Sequence, residues 1–239
     1  MASDRLASGS NISQIKIWDT VTGRCMQTLE GQGYDYSVES VAFSATGERL
    51  ASGSWDGVIK IWETASGDCA WRIQGHSHSI KSVAFAESGD DLASGSDDCT
   101  IKIWNTATGG CIQTLTIGTS ISHLLFDPTS TYLLTEIGRS RVDLLPFPAV
   151  TSQARDMTDT RATAPVSDSV VHYTETKVYG YGLSPDHIWI ARDGQNFLWL
   201  PPEFRPMCSA VQGQMVAIGC QSGRVLIFGF SPDAYAAGN

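Results

Sequence analysis

The sequence predicts an all-β protein assembled from a repeated unit of four short antiparallel strands. Three observations support this fold class: a long segment returns twice at nearly constant spacing, apolar and polar residues alternate within each copy, and glycines stand at matching places. The chain has 239 residues, of which 42% are hydrophobic. A repeat array of this length can bury a full core as one unit.

The repeat is visible in the first half of the chain. Three copies begin at Leu6, Leu50 and Leu92, so the period is about 42 to 44 residues. Their openings read LASGSNISQIKIWDTVTG, LASGSWDGVIKIWETASG and LASGSDDCTIKIWNTATG, and the connecting segments SVESVAFSATGERL and SIKSVAFAESGDDL are also in register. Each period therefore corresponds to one structural unit.

Each copy contains four strand-like segments. In VESVAFS apolar and polar residues alternate, and RLASGS is a short apolar run. In VIKIW the side chain of Lys60 points away from those of its apolar neighbours, and CAWRIQ follows a tight turn. Gly23, Gly67 and Gly109 stand where such a turn requires positive φ. Four antiparallel strands in this length, with a tryptophan ending the third, are typical of one blade of a β-propeller.

Residues 5–117 resemble the WD-repeat β-propellers. The diagnostic dipeptides read Trp18-Asp19, Trp62-Glu63 and Trp104-Asn105, and only the first is the literal motif. Gly75-His76 matches the Gly-His of the family. The resemblance implies a ring of blades that acts as a scaffold for protein–protein interaction.

Beyond Gly118 the repeat decays. Residues 118–145 predict a degenerate fourth blade, and residues 146–170, rich in Pro, Ser, Thr and Ala, predict a flexible loop or linker. Residues 171–230 predict two degenerate closing blades. Residues 1–239 are thus expected to form a single β-propeller region of about six blades, three regular and three degenerate.

The tail carries a second resemblance. NFLWLPPEFRPMCSAV and, further on, VAIGCQSGRVLIF are similar to the end of the C-terminal propeller in fungal NACHT or NOD-like WD-repeat proteins. This resemblance implies the ligand-sensing end of a larger protein. A second scaffold role known for fungal WD-repeat proteins, an adaptor in an organelle complex such as mitochondrial fission, stays open.

The first copy opens on its second strand, RLASGS, and so lacks an innermost strand. Either six blades close imperfectly, or the chain is the carboxyl-terminal part of a longer array; the second interpretation is favoured. An unclosed ring would leave unpaired strand edges.

His76, Ser94 and Asp98 offer the residue types of a nucleophilic hydrolase, which is kept as the less favoured alternative. Ser94 lies inside an alternating strand, where a buried hydroxyl needs hydrogen-bond partners. The other copies lose members of the set and keep their strands: Gln32 replaces the histidine in the second, and Ile12 replaces the aspartate in the first. We therefore expect no catalytic residues here.

The family resemblance instead implies a structural hydrogen-bond network. In the third blade it would consist of His76, Ser94, Asp98 and Trp104. Its partial counterparts would be Ser52, Asp56 and Trp62 in the second blade, and Ser8 and Trp18 in the first.

The predicted partner-binding residues lie in less repetitive loops and turns at one end of the blades. They are Tyr34, Tyr36 and Trp55 in the second blade, and His78 and Asp97 in the third. A tryptophan beside loop tyrosines has the composition of an interface hot spot. The competing interpretation is that Trp55 packs on a neighbouring blade. Trp55 would then be buried, and this prediction of a partner-binding site would have to be abandoned.

Charge and motif content exclude several functions. The net charge of −9 argues against direct contact with nucleic acid, although a basic histone tail stays open as a partner. Neither a membrane-length apolar run nor a secretory signal is present, so we expect a cytoplasmic protein without membrane insertion. The expected partners are other proteins or peptides, and the sequence does not fix the oligomeric state.

We expect no cofactor and no metal site, because no phosphate-binding loop or paired Cys/His spacing occurs. The acidic stretch GDDLASGSDD (residues 89–98) matches turn positions of the other copies rather than a calcium site. Cys25, Cys69 and Cys111 recur at equivalent positions, which predicts small buried thiols.

Overall fold

The computed structural model describes residues 4–30, 36–142, 172–175, 178–212 and 214–230, and these ranges form six β-sheets with one short 3-10 turn. The fold is all-β, as predicted. No helix in the described ranges has the length and apolar character that crossing a membrane requires. The segment 146–170, predicted as a flexible linker, lies outside the described residues.

The first three sheets, termed blades 1 to 3, are the three regular copies. Blade 1 consists of β1 (Arg5–Gly9), β2 (Gln14–Asp19) and β3 (Cys25–Glu30); blade 2 of β4 (Val38–Phe43), β5 (Arg49–Ser54), β6 (Val58–Glu63) and β7 (Cys69–Gln74); blade 3 of β8 (Ile80–Phe85), β9 (Asp91–Ser96), β10 (Thr100–Asn105) and β11 (Cys111–Thr116). Blade 1 has three strands in the described residues.

The last three sheets, blades 4 to 6, are shorter and less regular. Blade 4 contains β12 (Leu124–Phe126), β13 (Tyr132–Thr135), β14 (Gly138–Arg141) and β16 (Val178–Tyr179); blade 5 contains β17 (Tyr181–Leu183), β18 (Trp189–Arg192) and β19 (Gln195–Trp199); blade 6 contains β20 (Pro206–Gln212), β21 (Met215–Cys220) and β22 (Val225–Gly229). The 3-10 turn at Pro202–Phe204 lies between blades 5 and 6. Within the described ranges no strand pairing joins blade 6 to blade 1.

Two pairings were not predicted from the sequence. Strand β15 (His172–Glu175) adds to the outer edge of β11 in parallel, and it is the fifth strand of blade 3. Strand β16 then pairs with β14 and completes blade 4. Both strands follow the degenerate segment, and they cover edges that the preceding sequence leaves open.

Every regular blade has two apolar faces. In blade 2, Ala51 lies opposite Ile61 across the β5–β6 ladder, and Leu50 lies opposite Trp62. The first pair packs in a core cluster with blade 3, and the second packs in a core cluster with blade 1. We term the surface that meets the following blade the forward face, and the one that meets the preceding blade the backward face.

The glycine of each LASGS segment allows the next blade to approach closely. A Cβ on Gly53 would collide with the side chain of Ile80, the first residue of the inner strand of blade 3. A Cβ on Gly95 would lie 2.7 Å from Cγ2 of Ile121 in the loop leading to blade 4. Because the forward face has no room for a methyl group here, glycine is required for packing.

A serine makes the second standard contact between blades. Ser40 Oγ accepts a hydrogen bond from the backbone N–H of Val83 at 3.1 Å, and Ser82 Oγ accepts one from Leu124 at the same distance. Each bond joins the inner strand of one blade to that of the next. The repeat therefore encodes the joints between blades as well as the blades.

One prediction about the cysteines was wrong. Cys25, Cys69 and Cys111 do begin equivalent outer strands, but Cys25 and Cys69 are exposed and Cys111 is partly exposed. Each of these cysteines directly follows the turn that leads into the outer strand, and Cys111 packs against the core cluster between blades 2 and 3.

Candidate functional site

The predicted hydrogen-bond network is complete in blade 3. His76 Nε2 lies 2.7 Å from Ser94 Oγ, and Trp104 Nε1 donates to the same oxygen at 2.8 Å. His76 Nδ1 lies 2.9 Å from Asp98 Oδ2. The histidine comes from the loop before β8, the serine from β9, the aspartate from the β9–β10 turn and the tryptophan from β10, so the network ties four segments together.

The donor at each contact follows from the geometry. Trp104 can only donate, so the hydroxyl of Ser94 keeps its own proton for His76 Nε2. The remaining ring proton is then on Nδ1, from where it is donated to Asp98. Each polar atom of this buried chain thereby has a partner.

Burial sets the charge state of the network. Burial lowers the pKa of His76 and outweighs the opposing effect of Asp98, so the imidazole is neutral at pH 7. Burial alone would raise the pKa of Asp98, but hydrogen bonds from Thr100 and His76 hold it at about 2. A neutral histidine and an ionised aspartate match the donor pattern above.

Asp98, His76 and Ser94 follow one another in the order of a hydrolase triad, but Ser94 is not accessible to a substrate. The side chain of Ser94 is completely buried, and its oxygen already accepts the indole N–H of Trp104. A substrate carbonyl has no path to this oxygen. The geometry suits a structural junction rather than a nucleophile.

The other regular blades keep parts of the network. Trp62 donates to Ser52 Oγ at 3.1 Å, and Trp18 donates to Ser8 Oγ at 2.9 Å. The side chain of Asp56 accepts hydrogen bonds within its own turn, from Ser54 Oγ and from the backbone N–H of Val58. Gln32, which replaces the histidine in blade 2, lies outside the described residues. Among the described residues, the tryptophan–serine bond is therefore the part of the network that all three blades share.

Four of the five predicted binding residues lie at one end of blades 2 and 3. Tyr36 and His78 are in the loops that lead into these blades, and Trp55 and Asp97 are in the turns between the second and third strands. The backbone N–H of Trp55 donates to Ser37 O at 3.0 Å, and that of Asp97 donates to Ser79 O at 2.9 Å. The turn and the leading loop of each blade are thus joined, and we term this end the turn-end surface. The fifth residue, Tyr34, lies outside the described residues.

Tyr36 and Trp55 form a stacked aromatic pair on this surface. Their ring centroids are 5.8 Å apart and their planes differ by 22°. Tyr36 is 41% exposed and Trp55 is 58% exposed. Trp55 is therefore not buried against a neighbouring blade, which was the competing interpretation.

The surface is continuous from blade 2 to blade 3. Gly57, two residues after Trp55, accepts hydrogen bonds at 3.0 Å from the backbone N–H groups of Gly75 and His76. His78, two residues after His76, is exposed, and its backbone carbonyl accepts a hydrogen bond from Ser96 Oγ at 3.2 Å. These bonds place the aromatic pair and His78 on neighbouring segments of one surface.

A lysine between two carboxylates lies beside Asp97. Lys81 Nζ is 3.5 Å from Asp97 Oδ2 and 3.5 Å from Glu39 Oε2 of the neighbouring blade. Ser120 Oγ also donates to Asp97 Oδ1, at 2.5 Å. Asp97 is therefore held in position by groups from its own blade and from the loop leading into blade 4.

Sequence reasoning missed Glu136, a buried carboxylate in the β13–β14 turn. Its oxygens accept the backbone N–H groups of Ser122 at 2.6 Å and His123 at 3.1 Å. Asp98 makes a similar bond to the N–H of Ser77, at 3.1 Å. The only signal in the sequence was the position of Glu136 in the corresponding turn, which the decay of the repeat obscures.

Comparison with known families agrees with this architecture. A family model described as "WD domain, G-beta repeat" matches residues 23–63 and 67–105. These segments are WD40 repeats. They include the residues that form the Ser–Trp bonds of blades 2 and 3 and the complete hydrogen-bond network of blade 3. They also include the turn that contains Trp55.

A curated relative extends the comparison. The chain is 46% identical over 119 residues to the vegetative incompatibility protein HET-E-1 of Podospora anserina. The match covers 50% of this chain and 7% of the length of that protein. The predicted WD-repeat resemblance and the predicted likeness to a fungal protein are both confirmed.

Proposed function

We propose that this WD40-repeat protein is a non-catalytic interaction scaffold, which binds a protein or peptide across the turn-end surface of blades 2 and 3. The observation that carries the proposal is the exposed, stacked pair of Tyr36 and Trp55. Their segments are anchored by backbone hydrogen bonds, so little conformational freedom remains to be lost on binding. Large aromatic side chains of this kind dominate the energy of protein interfaces.

Three residues complete the proposed site. His78 offers an exposed ring in the loop that leads into blade 3, and Asp97 offers a carboxylate that forms an ion pair with Lys81. Polar groups around an apolar centre give the site register and specificity. Tyr34, which precedes Tyr36 by two residues in the sequence, is proposed to contribute to the same surface.

The burial of Ser94 supports the non-catalytic part of the proposal. A hydrolase would need this hydroxyl at a substrate-accessible position, with donors for an oxyanion next to it. Here its neighbours are the rings of His76 and Trp104.

The length of the fungal relative supports a wider context. The matched segment is a small fraction of that protein, whose name associates it with vegetative incompatibility. We propose that this chain is the ligand-sensing propeller of a larger fungal NOD-like protein. In that role the turn-end surface receives the ligand.

The test is to truncate the aromatic pair and measure binding. Wild-type protein is used to isolate interacting proteins, which are identified by mass spectrometry, purified and titrated by calorimetry. Trp55→Ala is expected to weaken binding by about 30-fold or more, as befits a hot-spot residue. Tyr36→Ala is expected to act in the same direction, because it removes the ring that supports Trp55.

Val21→Ala is the matched control. Val21 is an exposed apolar residue in the turn between β2 and β3, at the opposite end of a blade. It is expected to leave affinity unchanged, and all variants should keep the melting temperature of the wild type. A partner that binds Trp55→Ala and wild type equally well would contradict the proposed site.

A further inference from the structure

A serine in the loop that leads into blades 2, 3 and 4 occupies one position of the repeat, as Ser37, Ser79 and Ser120. Ser37 Oγ donates to Asn11 Oδ1 at 3.3 Å, and Ser120 Oγ donates to Asp97 Oδ1 at 2.5 Å. Both acceptors lie in the turn between the second and third strands of the preceding blade. At two joints, a side chain of this turn therefore ties one blade to the next.

The joint between blades 2 and 3 lacks this tie. The residue that corresponds to Asn11 and Asp97 is Trp55, whose indole N–H is a donor and which has no side-chain acceptor. Ser79 is 5% exposed, and among the described residues its Oγ has no hydrogen-bond partner. A buried hydroxyl without a partner lowers stability. Position 55 is therefore the point at which this joint loses a hydrogen bond.

The missing bond is confined to the turn end of the joint. Further along the inner strands, the backbone N–H of Val83 donates to Ser40 Oγ at 3.1 Å, as in the next joint. The ring of Trp55 stacks on Tyr36 of its own blade and is largely exposed. The loss therefore follows from one side chain, and this side chain is the centre of the proposed binding surface.

We propose that Trp55 leaves the joint between blades 2 and 3 untied at the turn-end surface, and that a partner bound across both blades holds them together there. A partner that contacts Trp55 on blade 2 and His78 on blade 3 favours the packed arrangement of the two blades. Binding and the packing of this joint are then coupled. The bridge rests on the proposed function, whereas the untied joint does not depend on it.

The untied joint is tested on the chain alone. Trp55→Asn supplies an acceptor of the kind found at Asn11, and Trp55→Leu is the matched control that keeps an apolar side chain without an acceptor. Ser79→Ala is added to the wild type and to both variants, and thermal unfolding is measured. It is expected to lower the melting temperature of Trp55→Asn by about 2–4 °C and not to lower that of the wild type or of Trp55→Leu.

Two results of this comparison would overturn the proposal. If Ser79→Ala lowers the melting temperature equally in all three backgrounds, the hydroxyl has a partner beside Trp55 and the joint is tied. If it lowers none of them, a side chain at position 55 does not reach Ser79, and the correspondence with the other joints fails.

Hydrogen exchange at the backbone N–H of Val83 tests the bridge, because this group bonds across the joint to Ser40. Trp55→Asn is expected to slow its exchange about fivefold. The protein isolated and purified with the wild type, as in the calorimetric test, is expected to slow it in the wild type. The N–H of Leu124, which bonds to Ser82 at the tied joint between blades 3 and 4, is the control and should change little.

These measurements separate the bridge from the proposed function. A partner that binds the wild type more tightly than Trp55→Ala, yet leaves exchange at Val83 unchanged, would support the binding surface and overturn the bridge. A partner that binds both equally well would contradict the binding surface and the bridge together. The untied joint is decided in either case by the Ser79→Ala comparison.

Discussion

Ser94 shows how a single hydroxyl can organise a blade. Its oxygen accepts from Trp104 while its proton goes to His76, so one side chain joins β10 to the loop before β8. The same serine in blades 1 and 2 keeps its bond to tryptophan. The tryptophan–serine bond is therefore common to the three regular blades, and the histidine–aspartate contact is described in blade 3.

Removal of Asp98 is expected to destabilise the protein. In Asp98→Ala the Nδ1–H of His76 loses its acceptor in a buried site, which costs about 1–3 kcal/mol of unfolding free energy. Urea denaturation measures this change. The exposed Asp90 is the control, since Asp90→Ala should stay within about 0.5 kcal/mol of the wild type. An unchanged stability of Asp98→Ala would contradict the structural role of the network.

His76 makes stability depend on pH. Its pKa in the folded state lies below the ordinary 6.5, so the unfolded chain binds the proton more readily. The contribution of His76 is complete above pH 6.5 and declines as the pH falls below that value. Melting temperatures measured from pH 8 to pH 5 are expected to show this decline.

Two substitutions separate His76 from the other histidines. In His76→Gln the decline between pH 6.5 and the folded-state pKa should disappear, together with part of the total stability. His78→Gln should keep the decline, because His78 is exposed. A pH profile that is the same in His76→Gln and wild type would show that another group causes it.

The joints between blades explain why the LASGS segment recurs without change. Leucine belongs to the backward face, alanine and glycine belong to the forward face, and the first serine anchors the tryptophan. Each position has a different neighbour, so substitution at any of them disturbs a separate contact. An element of this kind is predictable from sequence, because its residues meet the same surroundings in every copy.

Gly53→Ala tests the joint directly. The added methyl group would collide with Ile80, so the substitution is expected to reduce stability by about 1–3 kcal/mol. Gly229→Ala, also in a strand, is the control, since its Cβ would meet no atom within 4 Å. Thermal denaturation should separate the two, and equal stabilities would show that blade 3 can move away from blade 2 at little cost.

Elements outside the regular copies were less predictable, for physical reasons. Strand β15 pairs with β11 across a long stretch of chain, and no local pattern encodes the partner of an edge strand. Glu136 accepts backbone N–H groups as Asp98 does in blade 3, but the sequence of its turn no longer matches the repeat. The stacking of Tyr36 on Trp55 depends on the path of the loop, although both residues were predicted to lie in the binding surface.

The charge of the whole molecule limits its partners. With a net charge of −9, the surface repels phosphate groups, and the affinity of proteins for duplex DNA depends on neutralising those groups. Fluorescence anisotropy with labelled duplex DNA at physiological salt is expected to show no binding. Saturable binding under these conditions would contradict the expectation and would point to a local basic surface.

The pairing of β11 with β15 has a consequence for synthesis of the protein. Thr116 leaves the ribosome well before Glu175, its partner in the ladder, and at ~5–20 residues per second the delay is on the order of several seconds. During that interval blade 3 is otherwise complete, but the outer edge of β11 presents unpaired backbone groups. Nascent chains on neighbouring ribosomes of one messenger RNA carry the same open edge at the same time. The hazard of wrong pairing is therefore greatest during translation, before β15 emerges.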